Sequence, residues 1–110
     1  MEATTVARRY YRTIDDGAYD DLAALLAPEF VHERPDRTLD GRETFVSFMR
    51  EDRPRTDTEH EVEGVYEGPD GVAVTGRLLG DGDGELFRFV DVFEVRDERI
   101  EGLRTYTAVG

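Results

Sequence analysis

The run Leu86-Phe-Arg-Phe-Val-Asp-Val-Phe-Glu-Val-Arg96 constrains this chain more than any other stretch. β-Branched and aromatic residues dominate it, and no Gly or Pro interrupts it, so it predicts a β-strand. Strand side chains alternate between faces. Phe87, Phe89, Asp91, Phe93 and Val95 therefore share one face, and Arg88, Val90, Val92, Glu94 and Arg96 share the other. Asp91 sits in the middle of the most apolar row in the protein. A buried, unpaired carboxylate is costly there and shifts its pKa rather than staying charged.

The segments before this strand read as helices with one short strand between them. Val6, Tyr10 and Ile14 recur at four-residue spacing, with Ala3, Ala7 and Tyr11 beside them, which predicts a helix over 3–16 stopped by Gly17. A second helix is expected over 19–27 on Leu22, Leu25 and Leu26, ended by Pro28, with Asp20 and Asp21 at its positive end. In "EFVHERPD", Phe30, His32 and Arg34 alternate with Val31 and Glu33, predicting a short strand closed by Pro35. Asp40-Gly-Arg-Glu43 reads as a capping box that opens a third helix on Phe45, Phe48 and Met49.

From His60 onward the pattern is strand and turn: "HEVEGVYE", the turn "GPDG", "VAVTGRLL", the loop "GDGDG", the strand at 86–96, the turn "RDER" and "IEGLRTYTA". Short turns make these neighbours antiparallel. The expectation is one α+β domain over 1–110, with three N-terminal helices packed on one face of an antiparallel sheet. The other face carries Leu79, Val90, Val92 and Tyr106, so a homodimer through that face is expected.

Composition narrows the function classes. There are 26 Asp+Glu against 14 Lys+Arg, a formal net charge of -12, and every basic side chain among the 14 is Arg. Such a surface suits a cell with high internal salt, where repulsion is screened and carboxylates maintain solubility, so a salt-loving source is expected. It opposes nucleic acid as a partner, because phosphate contacts need a basic face. The absence of Cys excludes disulfides and thiolate chemistry. "MEATTVARRYYRT" lacks the apolar centre of a signal peptide, and no apolar run approaches the roughly 18 residues that span a bilayer. A cytoplasmic protein with no membrane partner is the expectation.

The segments "ARRYYRTIDDGAYDDLAALLAPEFVHERPD", "LDGRETFVSFMRE" and "FRFVDVFEVRDERIEGLRTYT" together resemble the nuclear transport factor 2-like superfamily. That group includes ketosteroid isomerases, SnoaL-type polyketide cyclases and limonene epoxide hydrolases. The resemblance covers nearly the whole chain as a fold-level pattern. It implies a curved sheet wrapped round a long helix to form a cone, an α+β roll with an apolar pocket at its mouth, and homodimers. It also implies functional residues. The isomerases' oxyanion-binding Tyr corresponds to Tyr10, ahead of Gly17, and their protonated strand Asp to Asp91. Their proton-shuttling Asp corresponds to Arg34 in "HERP", and an Arg cannot act as a base near neutral pH. The epoxide hydrolases' acid on the last strand corresponds to Thr105 in "GLRTYT".

The candidate catalytic residues are thus Asp91 and Tyr10 on a developing oxyanion, with His32 as the base. Arg34 is the candidate anchor for a carboxylate or enolate. Phe30, Phe45, Phe48, Met49, Val74, Leu78, Phe89, Phe93, Leu103 and Thr105 are candidate pocket walls. Each has a plainer reading. Asp91 can pair with Arg34 or bond to Tyr10 as a structural group, His32 can be a half-buried ring bonded to a neighbour, and the Phe residues can be ordinary core. Tyr11, about 100° further round the helix, is expected at the rim, and His60 is expected solvated at the sheet edge. Neither His has metal-ligand spacing, and "GDGDG" lacks the Gly and closing Glu of a calcium loop. No metal or other cofactor is expected. Two function classes follow: an isomerase- or cyclase-like proton-transfer enzyme for a small apolar carbonyl or acidic compound, or a non-catalytic binding or dimerisation module. A protein-binding scaffold would need an exposed apolar patch beyond the dimer face, which the sequence does not offer.

Overall fold

Helix α1 spans Ala3–Asp15 in the computed structural model, which describes residues 2–108. Val6, Ala7, Tyr10, Tyr11 and Ile14 form its buried side. It stops as its sequence requires. Ala18 N–H donates to Thr13 O at 2.8 Å and Gly17 N–H to Ile14 O at 3.1 Å, with Gly17 at φ +68°. That is the Schellman arrangement, and its left-handed residue is the reason for a Gly at this point.

Helix α2, Tyr19–Ala24, is shorter than expected. Leu26 leaves the helix to pair with Ile100, and Ile100 N–H donates to Leu25 O at 2.8 Å. A tertiary sheet bond thus replaces the last helical turn, and Pro28 could not have donated to a continued helix in any case. Strand β1 spans Leu26–Glu33, and a short strand β2, Thr38–Asp40, turns back on it antiparallel. Asp40 is therefore the end of a strand, and the expected capping box does not form. Helix α3, Arg42–Ser47, starts from Gly41 at φ +99° with no side-chain cap, then widens into one π-helical turn over Phe48–Asp52.

Strands β3 (Thr58–Glu67), β4 (Gly71–Gly80), β5 (Gly84–Arg96) and β6 (Arg99–Ala108) form the expected antiparallel meander. The six strands make one curved, open sheet in the order β2-β1-β6-β5-β4-β3. The sheet is not wholly antiparallel. β1 runs parallel to β6, which is possible because a long connection joins them rather than a tight turn. Register shifts at Val62/Gly64, Leu78/Leu79 and Glu94/Val95 bend the strands. The alternation of β5 is as its sequence predicts: Phe89, Asp91 and Phe93 are buried, whereas Arg88, Val90, Glu94 and Arg96 are exposed.

The core lies between α1 and the inner sheet face. Tyr10 and Tyr11 both meet Phe93 edge-on, with ring centroids 5.3 and 5.8 Å apart, and Phe45 closes on Tyr10 and Phe30. Among the described residues, no helix is long and apolar enough to cross a membrane.

Candidate functional site

A cavity of about 250 Å³ opens between the inner sheet face, α1 and the segment that follows the π turn. Asp91 stands in its wall with only 5% of its surface exposed. Its strand neighbours explain how it is tolerated there. Thr105 lies directly across on β6, and the Thr105 hydroxyl donates to Asp91 Oδ1 at 2.5 Å. From α1, the Tyr11 hydroxyl donates to Oδ2 at 2.6 Å. Thr105 Oγ1 is in turn 2.8 Å from His32 Nε2 on β1. With Asp91 ionised, Thr105 donates to the acid and accepts Nε2–H from a neutral His32. Nδ1 is then a bare, buried lone pair with no hydrogen-bond partner among the described residues.

These surroundings set the protonation behaviour. Burial raises the Asp91 carboxyl above its ordinary range, while the Thr105 and Tyr11 donors and, behind them, the Arg34 charge pull it back. Burial raises both tyrosines, and the nearby Asp91 adds to this, so both remain hydrogen-bond donors. Burial lowers His32 to about 3, and the Arg34 charge adds to the effect. A ring so weakly basic, with Nε2 already committed to Thr105, is a neutral support for the Asp91 network. His32 was expected as the base, and the structure places it in the cavity lining with Nε2 engaged to Thr105.

Both tyrosines are inside. Tyr11, expected at the rim, is buried behind Asp91 and holds it. Tyr10 does not bond Asp91. It lines the cavity, and its hydroxyl has no hydrogen-bond partner among the described residues. The curved sheet closes on α1 from two sides, so neighbouring helix positions are both inside.

Arg34 lines the cavity but does not pair with Asp91. Its Nε is 3.3 Å from Asp36 Oδ1 and its guanidinium lies over the Phe48 ring, so the structural Asp91–Arg34 pair is not formed. The nearby Asp36, two residues along, wins over a buried acid that would have to be reached across the cavity. Arg53 is the freer cation. It bonds only neutral acceptors, Met49 O, Ile14 O and the Tyr19 hydroxyl, at 3.1, 3.5 and 3.0 Å, and it pairs with no carboxylate among the described residues. Arg55, also in the wall, is neutralised by Asp57 and Asp83. The second of these ties down the "GDGDG" loop.

Of the expected wall residues, Met49, Leu78, Phe89 and Thr105 line the cavity. Phe30, Phe45, Phe48, Val74, Phe93 and Leu103 are buried in the core behind it. Ile14, Arg53, Leu86, Phe87 and His60 line it without having been expected to. Phe87 belongs to the same inward row as Asp91, and Ile14 follows Tyr10 by one helical turn, so both had a periodic signal. His60 is not solvated. It is half-buried and bonded to Asp15, 45 positions away, a pairing with no local signature.

The fold has well-matched counterparts. A candidate ketosteroid isomerase from Kribbella flavida DSM 17836 superposes with a TM-score of 0.85 at 27% identity, over 98% of this chain and 78% of that one. An NTF2-like protein of unknown function from Cytophaga hutchinsonii gives 0.84 at 12% identity, over 98% and 91%. A candidate polyketide cyclase from Sinorhizobium meliloti gives 0.81 at 16% identity, over 93% and 94%. No curated protein matches the chain. The sequence pattern of the SnoaL-like domain matches residues 7–102, from the middle of the first turns of α1 to the start of β6. Matched over nearly its whole length, the chain belongs to the SnoaL-like family, with the NTF2-like fold.

Proposed function

We propose that this protein binds a small, largely apolar compound bearing a carbonyl or acidic oxygen and transfers a proton on it, in the manner of an isomerase or cyclase. On this reading helices and sheet form a cone with the cavity at its mouth. One observation carries the proposal. A buried carboxyl, held by two hydroxyl donors, shares a mostly apolar cavity wall with a tyrosine whose hydroxyl is uncommitted. An acid kept ready to hold a proton, beside a free O–H donor, is suited to an oxygen that gains negative charge during reaction. Met49, Leu78, Phe87 and Phe89 take the apolar body. Arg53, with Arg34 beside it, takes any anionic end. The similarity to a candidate isomerase and a candidate cyclase supports the same reading.

A naphthol tests it, since it offers a flat apolar body and one acidic oxygen. Saturable binding by the wild type, followed by naphthol fluorescence, is expected, and Tyr10→Phe should weaken it about tenfold. No saturable binding, or equal affinity in the Phe variant, would sink the proposal.

The outer sheet face leaves Tyr66, Val90 and Tyr106 exposed, with Val90 and Tyr106 paired across β5 and β6. The proposed occupant is a second copy of the chain. Val90→Glu should convert a dimer into a monomer in analytical ultracentrifugation, and an unchanged mass, or a monomeric wild type, would refute this.

A further inference from the structure

Enolisation of a carbonyl compound needs a group that takes a proton from carbon as well as one that serves the oxygen. His32 is unsuited, since Nε2 is bonded to Thr105 and Nδ1 is buried. His60 enters the same cavity from β3, and its geometry is different. Its Nδ1 lies 2.6 Å from Asp15 Oδ1, and its backbone N–H donates to Asp15 Oδ2 at 3.0 Å. The two side chains are only 17% and 18% exposed. The ring is also seated against Tyr11 and Phe89, at centroid distances of 4.9 and 5.8 Å.

A carboxylate only accepts hydrogen bonds, so Nδ1 carries the hydrogen and the lone pair of the neutral ring lies on Nε2. Among the described residues Nε2 has no hydrogen-bond partner. A backbone clamp, a ring bond and two aromatic neighbours therefore fix the ring of a residue that lines the same cavity as Asp91 and leave Nε2 as its uncommitted nitrogen. An acid that orients an imidazole by its Nδ1–H and steadies the imidazolium is the arrangement by which a histidine is prepared to take a proton.

We propose that His60 Nε2 is the base of this cavity and that Asp15 is its positioning residue, working opposite Asp91 and Tyr10 on the same substrate. The inference rests on the proton-transfer reading above and adds the missing half of it. In the forward step the C–H bond next to the carbonyl breaks and its hydrogen goes to Nε2. The electron pair forms the C=C bond of an enol, and the carbonyl oxygen takes the proton of Asp91, which enters the step in its protonated form with Thr105 and Tyr11 still donating to its two oxygens. The imidazolium is then balanced by Asp15. Return of the Nε2 proton to a different carbon, with the oxygen's proton returning to Asp91, gives the rearranged ketone and restores both groups.

A purely structural Asp15–His60 pair would pin β3 to α1 and stay indifferent to ligand. The first test therefore uses the wild-type protein, labelled in the histidine ring nitrogens and titrated with naphthol. The expected spectrum shows a hydrogen-bearing Nδ1 and a bare Nε2 for His60, and the Nε2 signal moves on naphthol addition. A hydrogen on Nε2 in the neutral ring, or an Nε2 signal that naphthol leaves in place, overturns the inference. A wild type that fails to bind naphthol at all overturns the underlying reading, which distinguishes the two failures.

Variants give the second test, with a β,γ-unsaturated cyclic ketone whose conjugated isomer is seen by its ultraviolet absorbance. His60→Gln should lower kcat about 100-fold with KM changed little, and Asp15→Asn about tenfold, while both variants still bind naphthol. His60→Gln turning over at the wild-type rate would overturn the assignment.

Discussion

Replacing Asp91 by Asn is expected to lower turnover of a β,γ-unsaturated ketone by about 10²–10⁴-fold and to leave the fold at least as stable as the wild type near pH 8. The two halves of this expectation share one cause. Burial raises the native Asp91 pKa above the unfolded value, so the native state holds the proton more tightly than the unfolded chain does. Asp91 thus supports the fold at low pH, and that support is lost as pH rises through its native pKa, where a charge must be kept inside the core. Asn never carries that charge. Its carbonyl can accept from Tyr11 and its amide can donate to Thr105 Oγ1, so the bonds at 2.6 and 2.5 Å have replacements. What Asn cannot do is give up or take a proton. Urea unfolding at about pH 5 and pH 8 beside steady-state rates would check both halves. An Asn variant less stable than wild type at each pH, with unchanged rates, would mean that Asp91 is a structural strut and that the protein is a binding module.

How far this was legible in the sequence depends on the range of the interaction. The inward row of β5 could be read from alternation alone, since a strand's pleat fixes which side chains share a face whatever packs on it. Asp91 was found that way, and helical spacing located the three helices, but strand β2 was missed because Asp40 read as a helix cap. Contacts made between elements were not legible. Tyr10 and Tyr11 differ by one position, and which of them reaches Asp91 depends on how far the sheet curls round α1. Asp15 and His60 come together only because β3 runs beside the C-terminal end of α1. Asp91 is the partner the sequence suggested for Arg34, and Asp36, two residues along, holds it instead. The parallel pairing of β1 with β6 escaped for the same reason, because turn chemistry specifies only neighbours joined by turns.

His32 should make the protein sensitive to mild acid, and His32→Phe should remove much of that sensitivity. The native ring takes a proton only near pH 3, whereas in the unfolded chain it does so near its ordinary 6.5. The unfolded state therefore binds the proton first as pH falls. The support that neutral His32 gives the fold is complete above about pH 6.5 and is lost progressively down to about pH 3. Each pH unit in that window costs about 1.4 kcal/mol, so the loss between pH 8 and pH 5 is about 2 kcal/mol from this one group. Asp91 acts in the opposite direction, and it and His60 are present in both proteins, so their direct contributions cancel in the wild-type-minus-variant difference. Phe suits the site, because the ring already faces Phe45 and Phe30 at centroid distances of 5.3 and 6.4 Å, and Thr105 keeps its bond to Asp91. Urea unfolding of both proteins at about pH 8 and pH 5 measures the difference directly. Equal losses in the two would show that His32 is protonated in the folded protein, and Thr105 would then join a cation to the acid rather than a neutral ring, which would change the charge that any ligand meets beside Asp91.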